Sequence, residues 1–371
     1  GFWQIQPAAE TLATNINNHS LQFDNHIEVA DVAVVHDEAM VGQSVTVRLK
    51  WRITAAVTTP EAITVRIMRR DGRLATNSDI AFDPSSAINT WHSTQVILAI
   101  PLDLTPGNYD VSIGAYRMQN GSFISLSPAE PNNAVPPVAI TVLAAKQPQI
   151  TMHPLSIDVA DEAVLMGVDY DTGLPGQWRL LTHWKLPTHP ISVTVFNTAG
   201  TVASPPLSLP EAPDEDSYFT LIFDVAPAIG LRLGVGDGIA QISLPDGHAG
   251  ERYIAFADQI VLTGVSTERG ADQLKVDLTW LANHSLQSDY VISTRVTGEG
   301  FYAAHDGIPA LGTLPTLKWI RGSQIFDRHP FDLNHFSGKL SGTIVVYDST
   351  SRLLLPALDE RYEHGVSFDV N

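Results

Sequence analysis

The sequence predicts an all-β protein built as three tandem immunoglobulin- or fibronectin-like β-sandwich modules. Three observations predict it. First, one strand pattern is written three times. Val45, Val47, Leu49, Trp51 and Ile53 alternate with Thr46, Arg48, Lys50 and Arg52; Trp178, Leu180, Thr182, Trp184 and Leu186 repeat the design; Leu274, Val276, Leu278, Trp280 and Ala282 repeat it again. Period-2 alternation marks a strand with one buried and one wet face, and a tryptophan at the same place in each copy reads as a core anchor. Second, 26 glycines and 24 prolines suit many turns between short strands. Third, no long segment carries a convincing 3.6-residue apolar period; the helical candidates, Ala8 to Asn17 and Asp332 to Phe336, are short enough to be loop or a single turn.

The elements follow in chain order. Residues 1–20 precede the first repeat and read as an N-terminal arm extended against the first module, which spans 21–145. Asn25-His-Ile-Glu-Val-Ala-Asp-Val32 opens that module. After the Trp51 strand, Ile63 to Leu74 alternates again and carries Gly72 where a hairpin turn needs positive φ. Trp91 follows Trp51 after a long polar stretch, a recurrence that argues for packing, and Pro106-Gly-Asn-Tyr-Asp-Val-Ser-Ile-Gly-Ala-Tyr116 begins the closing hairpin.

Lys146-Gln-Pro-Gln149 reads as a linker, and the second module spans 150–256. Its Asp161-Glu-Ala-Val-Leu-Met-Gly-Val168 aligns without a gap with Asp258-Gln-Ile-Val-Leu-Thr-Gly-Val265 of the third module, 257–371, five of eight positions being identical. Gly200 and Gly300 repeat the turn of Gly72, and Trp319 repeats Trp91. The second module has no counterpart of that tryptophan. Its last strand, Arg252 to Phe256, runs almost directly into Gln259 to Val265, which predicts a rigid link between modules two and three.

A formal net charge of −18 and a pI near 5 exclude a nucleic-acid surface, because phosphate binding needs clustered Lys and Arg. The one basic group, Arg66, Arg69, Arg70 and Arg73, sits on a strand and its turn and reads as a solvated face; the acidic run Glu211 to Asp216 reads as a solvated loop. The chain has no cysteine, which removes disulfides, thiol nucleophiles and thiolate metal sites together. That is compatible with the cytoplasm and with the outside of a bacterium whose exported proteins avoid cysteine. No run of residues is apolar enough to span a membrane as a helix.

The chain has no Gly-x-Ser-x-Gly elbow, no His-Glu-x-x-His motif and no phosphate-loop motif. Thirteen histidines are scattered. His183, next to Trp184, should point to the opposite, wetter face and fill a structural or surface role. His305-Asp306-Gly307 reads better as a turn than as half of an acid–base pair. Asp169 and Asp171 flank Tyr170 and could be drawn as a glycosidase pair, but a polar turn is the better reading. Asn18, Asn120 and Asn283 each open a glycosylation acceptor triplet. Trp178, Trp3, Tyr116 and Tyr302 are the aromatics least tied to a core position, and exposed aromatics of this sort stack on sugar rings. Trp178 and Tyr302 are the candidate ligand-binding residues; no catalytic, cofactor-binding or metal-ligating residue is assigned.

The elements Asp-x-Ile-x-Leu-x-Gly-Val, a strand ending in Trp, a later Gly turn, a distant Trp and Pro-Gly-x-Tyr-x-Val-x-Ile-Gly-x-Tyr together resemble the soluble β-sandwich tails of large bacterial membrane proteins. Many of those proteins look like polytopic glycosyltransferases of the dolichyl-phosphate-mannose type. With repeated cores, an acidic surface and no catalytic constellation, the chain reads as a non-enzymatic accessory region outside the cytoplasm or at the cell surface, which the resemblance would attach to a membrane glycosyltransferase. It would be tethered through a flanking segment and act as spacer and interaction module without a cofactor. The implied partner is a protein or polysaccharide at the cell surface; the oligomeric state stays open. The alternative is a set of carbohydrate-binding modules that recognise a cell-surface or extracellular polysaccharide.

Overall fold

The computed structural model describes residues 20–82, 87–119, 122–127, 138–159, 163–172, 178–226, 231–236, 238–243, 251–257, 260–286, 288–310, 313–362 and 365–370. The protein is all-β, and its strands form six sheets that come in three successive pairs along the chain. The chain divides into two compact units. One holds the chain through Ala39 together with Ser44–Leu98 and Gly107–Val142; the other holds Met40–Gln43, Ala99–Pro106 and everything from Leu143 onward. Among the described residues no helix is long and apolar enough to cross a membrane.

The first ten strands are Leu21–Phe23 (β1), Ile27–Val34 (β2), Glu38–Met40 (β3), Ser44–Ile53 (β4), Glu61–Met68 (β5), Leu74–Phe82 (β6), His92–Ala99 (β7), Gly107–Gln119 (β8), Ser122–Ser125 (β9) and Val138–Leu143 (β10). They pair as β1-β2-β4-β7 and as β3-β10-β8-β5-β6, with β9 against β8. The alternation in β4 is realised as read: Val45, Val47, Leu49, Trp51 and Ile53 are buried, each stabilising the unit by roughly 1.5–3 kcal/mol. Trp51 stacks on His92 at 4.5 Å and its indole N–H donates to the Thr94 hydroxyl at 2.9 Å. Trp91 departs from the packing expectation. It is 43% exposed, just ahead of β7, with the Arg52 guanidinium 4.6 Å above its ring, so a surface cation–π contact holds it.

The next strands are His153–Asp158 (β11), Val164–Asp171 (β12), Trp178–Lys185 (β13), Ile191–Asn197 (β14), Val202–Leu209 (β15), Tyr218–Val225 (β16), Leu231–Val235 (β17) and Gly238–Ser243 (β18). They pair as β11-β12-β13-β16 and β15-β14-β17-β18. The last are Ile254–Ala255 (β19), Ile260–Arg269 (β20), Gln273–Ala282 (β21), Tyr290–Gly298 (β22), Phe301–Gly307 (β23), Gln324–Asp332 (β24), Leu340–Asp348 (β25), Leu354–Leu355 (β26) and Val366–Val370 (β27). Here the orders are β19-β20-β21-β24 and β23-β22-β25-β26, with β27 on β25. Inward residues of both sheets, among them Leu274, Val276, Leu278, Trp280, Ile292, Val296, Ile344 and Phe368, meet in one core. Trp319, unlike Trp91, is buried beside them and donates to the Leu314 carbonyl at 3.3 Å. Gly72, Gly200 and Gly300 all sit at positive φ, +83°, +80° and +70°, as turns between antiparallel strands require.

Three expectations fail, and the reasons are physical. Asp169 and Asp171 do not lie in a polar turn but on β12, both buried. His305-Asp306-Gly307 is the end of β23, paired residue for residue with Thr294, Ser293 and Ile292; backbone pairing over the whole strand overrides the turn preference of Asp-Gly. Asn283 is buried with its amide fully engaged, so its triplet offers no acceptor for a glycan. The second helical candidate is a loop after β24, with Asn334 and His335 at positive φ; the first, with Trp3, Asn18 and Asn120, lies outside the described residues.

Candidate functional site

The alternation of β23 puts Tyr302, Ala304 and Asp306 on the outer face of its sheet and Phe301, Ala303 and His305 toward the core. Tyr302 is 66% exposed. Cross-strand register places Thr297, Ser341 and Asp369 in one row with it, and Ala304, Arg295, Thr343 and Ser367 in the next. The hydroxyls of Thr297 and Ser341 lie 3.1 Å apart, and Arg295 Nε donates to Ser293 Oγ at 3.3 Å. Further along, the Tyr347 hydroxyl donates to Asp306 Oδ2 at 3.2 Å while Arg352 lies over its ring at 5.5 Å. Burial, then the Asp306 charge, pushes the Tyr347 phenol up. The result is a face with one open aromatic ring among hydroxyls, carboxylates and guanidinium groups. Such a face can stack on an apolar ring face and hydrogen-bond its rim.

Trp178 belongs elsewhere. It opens β13, opposite Val225, and is half-buried. The structure therefore places the two candidate residues on different sheets and leaves Tyr302 as the open one. Tyr116 is also spoken for: its hydroxyl donates to Asp79 at 2.8 Å and its ring packs edge-on against Phe123.

The polar groups that looked like chemistry are spent inside the larger unit. His183 does lie on the face of β13 opposite Trp184, but that face is covered. Its Nε2 donates to Asp169 Oδ2 at 2.9 Å, and its Nδ1 lies 2.9 Å from the Thr220 hydroxyl. The other Asp169 oxygen accepts from Met152 N–H at 2.6 Å. Hydroxyl, imidazole and carboxylate in line resemble a nucleophile triad, and all three are buried. Burial raises the Asp169 carboxyl against the opposing pull of His183. Tyr253 packs on His183 with ring centroids 5.6 Å apart and donates to the Ile150 carbonyl at 2.7 Å. Asn283 accepts from Ile150 N–H at 2.7 Å and donates to Gln149 and to the Tyr253 hydroxyl. A small cavity beside Gln149, His183 and Thr220, closed by Met166, Trp184 and Phe219, completes this layer.

A second buried set ties β12 and β13 to the chain near its end. Asp171 accepts from Tyr362 OH at 2.7 Å and pairs with Arg361. Arg361 also grips Asp359 through Nε at 2.9 Å and Nη2 at 2.7 Å, and Arg179 reaches the same carboxylate at 2.6 Å. Burial, then the Asp171 charge, holds the Tyr362 phenol well above its ordinary value.

A third set was missed from the sequence. In β24 the buried parity reads Ile325, Asp327, His329, Phe331, so two titratable residues occupy core positions. His329 Nε2 donates to Asp327 Oδ2 at 2.9 Å, and its Nδ1 faces His305 Nδ1 at 2.9 Å. The signal was available: an Asp and a His two apart, flanked on the same parity by Ile and Phe. Among the described residues no group of three or more His, Cys, Asp or Glu side chains could hold a metal.

No family model and no curated protein matches the chain. A crystal structure of a hypothetical protein from Parabacteroides merdae ATCC 43184 is similar at 11% identity, over 93% of this chain and 98% of that one, with a TM-score of 0.19.

Proposed function

We propose that the chain is a non-enzymatic accessory region of three tandem immunoglobulin- or fibronectin-like sandwiches. It works outside the cytoplasm as a spacer and interaction module of a membrane protein resembling a polytopic glycosyltransferase. The observation that carries the reading is the fate of the ionisable groups. Asp169, His183, Asp171, Arg361, Asp327 and His329 are all committed to short bonds within the unit. Side chains held this way position strands and are poorly placed to turn over a substrate. The buried ties from Gln149, Ile150 and Asp171 to Asn283, Tyr253 and Tyr362 support the stiffness that a spacer needs.

A second reading, carbohydrate binding, is favoured by the exposure of Tyr302 on a face rich in hydroxyl and charged groups. One experiment separates the two. The purified chain is titrated calorimetrically with a panel of bacterial and plant polysaccharides, alongside Tyr302→Ala. Saturable binding of one glycan that Tyr302→Ala abolishes makes this face a sugar site and displaces the spacer reading. Absence of binding across the panel supports the spacer and directs the search to a protein partner.

A further inference from the structure

Two edge strands of different sheets meet through β23 and β24, and the side-chain hydrogen bond between them is unusual. His329 is 1% exposed and ringed by polar atoms. Asp327 Oδ2 lies 2.9 Å from its Nε2, and His305 Nδ1 and the His305 carbonyl oxygen lie 2.9 and 3.3 Å from its Nδ1. The other Asp327 oxygen accepts from Ala310 N–H at 2.9 Å, just beyond β23. The 2.9 Å contact between the two Nδ1 atoms is a hydrogen bond only while one of the two nitrogens carries no proton. When both rings are fully protonated, two N–H donors stand face to face at hydrogen-bond distance, with a cation on each ring.

We propose that His305 and His329 form an acid-sensitive latch that holds edge strand β23, and with it the Tyr302 face, against β24, and that acidification releases it. The surrounding groups leave the pair to set this balance. From β24, Asp327 is already taken by His329 and Ala310; Arg328 points to the other face, where Asp277 binds it at 2.6 and 2.8 Å. On β23 itself Asp306 points outward, held by Tyr347 from β25. From β22, Thr294 stands opposite His305 in register, and its buried hydroxyl has no hydrogen-bond partner among the described residues. Phe331 closes the side of the His305 ring at 6.3 Å. Burial first, then the His329 charge, lowers the His305 imidazole below its ordinary 6.5, against the weaker pull of Asp327 and Asp306. The sign follows. The unfolded chain takes up this proton first as pH falls, so the stabilisation is present above about pH 6.5 and lost as pH drops through the folded value. The latch stands whether or not Tyr302 is a contact residue.

The test uses the whole chain. The His305 Cε1 resonance, assigned by its loss in His305→Gln, is followed by NMR from about pH 7.5 to about pH 5. We expect a midpoint below 6.5, with intrinsic-rate-corrected amide exchange of β23 and Ala310 rising below it. Urea unfolding of the wild type and His305→Gln is compared over the same range, because Gln keeps an acceptor but does not titrate. The ratio of their folding constants should fall with pH, by at most about tenfold per pH unit for one proton. A His305 midpoint at or above 6.5, or unchanged exchange in β23, overturns the latch. So does a pH-independent ratio. If His305→Gln does not fold, the wild-type titration and exchange still decide.

Discussion

Replacing Asp171 by alanine is the sharpest test of how the larger unit is held together. Asp171 is 1% exposed, and its Oδ2 takes the Tyr362 hydroxyl at 2.7 Å and the Arg361 guanidinium. Each hydrogen bond to a charged group contributes about 1.5–3 kcal/mol, and breaking a buried pair by removing one partner costs about 3–5 kcal/mol because the other charge stays behind. Arg361 is not wholly abandoned, since Asp359 still binds it through two nitrogens. The Tyr362 phenol is left with no carboxylate. A loss of about 3–5 kcal/mol follows, against a total of about 5–15 kcal/mol for a folded protein. In a unit of this size that lowers Tm by about 6–20 °C. The assay is urea unfolding read by far-ultraviolet circular dichroism. A loss under about 1 kcal/mol, the range of exposed ion pairs, would refute the claim that this pair is buried and structural. The double variant Asp171→Ala, Arg361→Met should lose less than the sum of the single losses, because it removes the stranded charge as well.

Other outcomes are equally direct. Asn283→Ala orphans the Ile150 N–H and frees Gln149 and Tyr253, so urea unfolding should show a loss of about 1–3 kcal/mol, while Asn283→Asp, which offers the oxygen but not the amide donor, should recover only part of it. Gly342 lies opposite Phe368 in register, and a Cβ there would meet the ring at 1.9 Å; Gly342→Ala should cost about 1–3 kcal/mol by thermal melting, and a neutral result would show that the ring does not cover that glycine. Tyr302→Ala should change stability by no more than about 0.5 kcal/mol, so any loss of glycan or partner binding in that variant reports contact and not unfolding.

The residues divide cleanly between what local pattern fixes and what only packing fixes. Alternation over a few positions determined the strands around Trp51, Trp184 and Trp280, their buried parity, and the positive-φ glycines at 72, 200 and 300, because strand pleat and turn geometry depend on neighbours in sequence. Tyr302 stood out in the sequence only as an aromatic not tied to a core position; its exposure comes from β23, where it alternates with Phe301 and Ala303. The fate of the second face of a strand was not legible. His183 reads as solvent-facing from its place beside Trp184, and Asp169 as part of a polar turn; both are buried, with Tyr253 packed on the His183 ring and the Met152 N–H on Asp169. Asp171 is buried by Tyr362 and Arg361 at a separation of about 190 residues. His305 finds His329 across two sheets. The sequence by itself determined which side turns inward in the three tryptophan strands; tertiary structure decided which outward sides meet a second surface, and buried Asp327 and His329 on β24. The physical reason is range. Pleat and turn are settled within a few residues, whereas desolvation of a polar face depends on contacts that only the folded chain brings together.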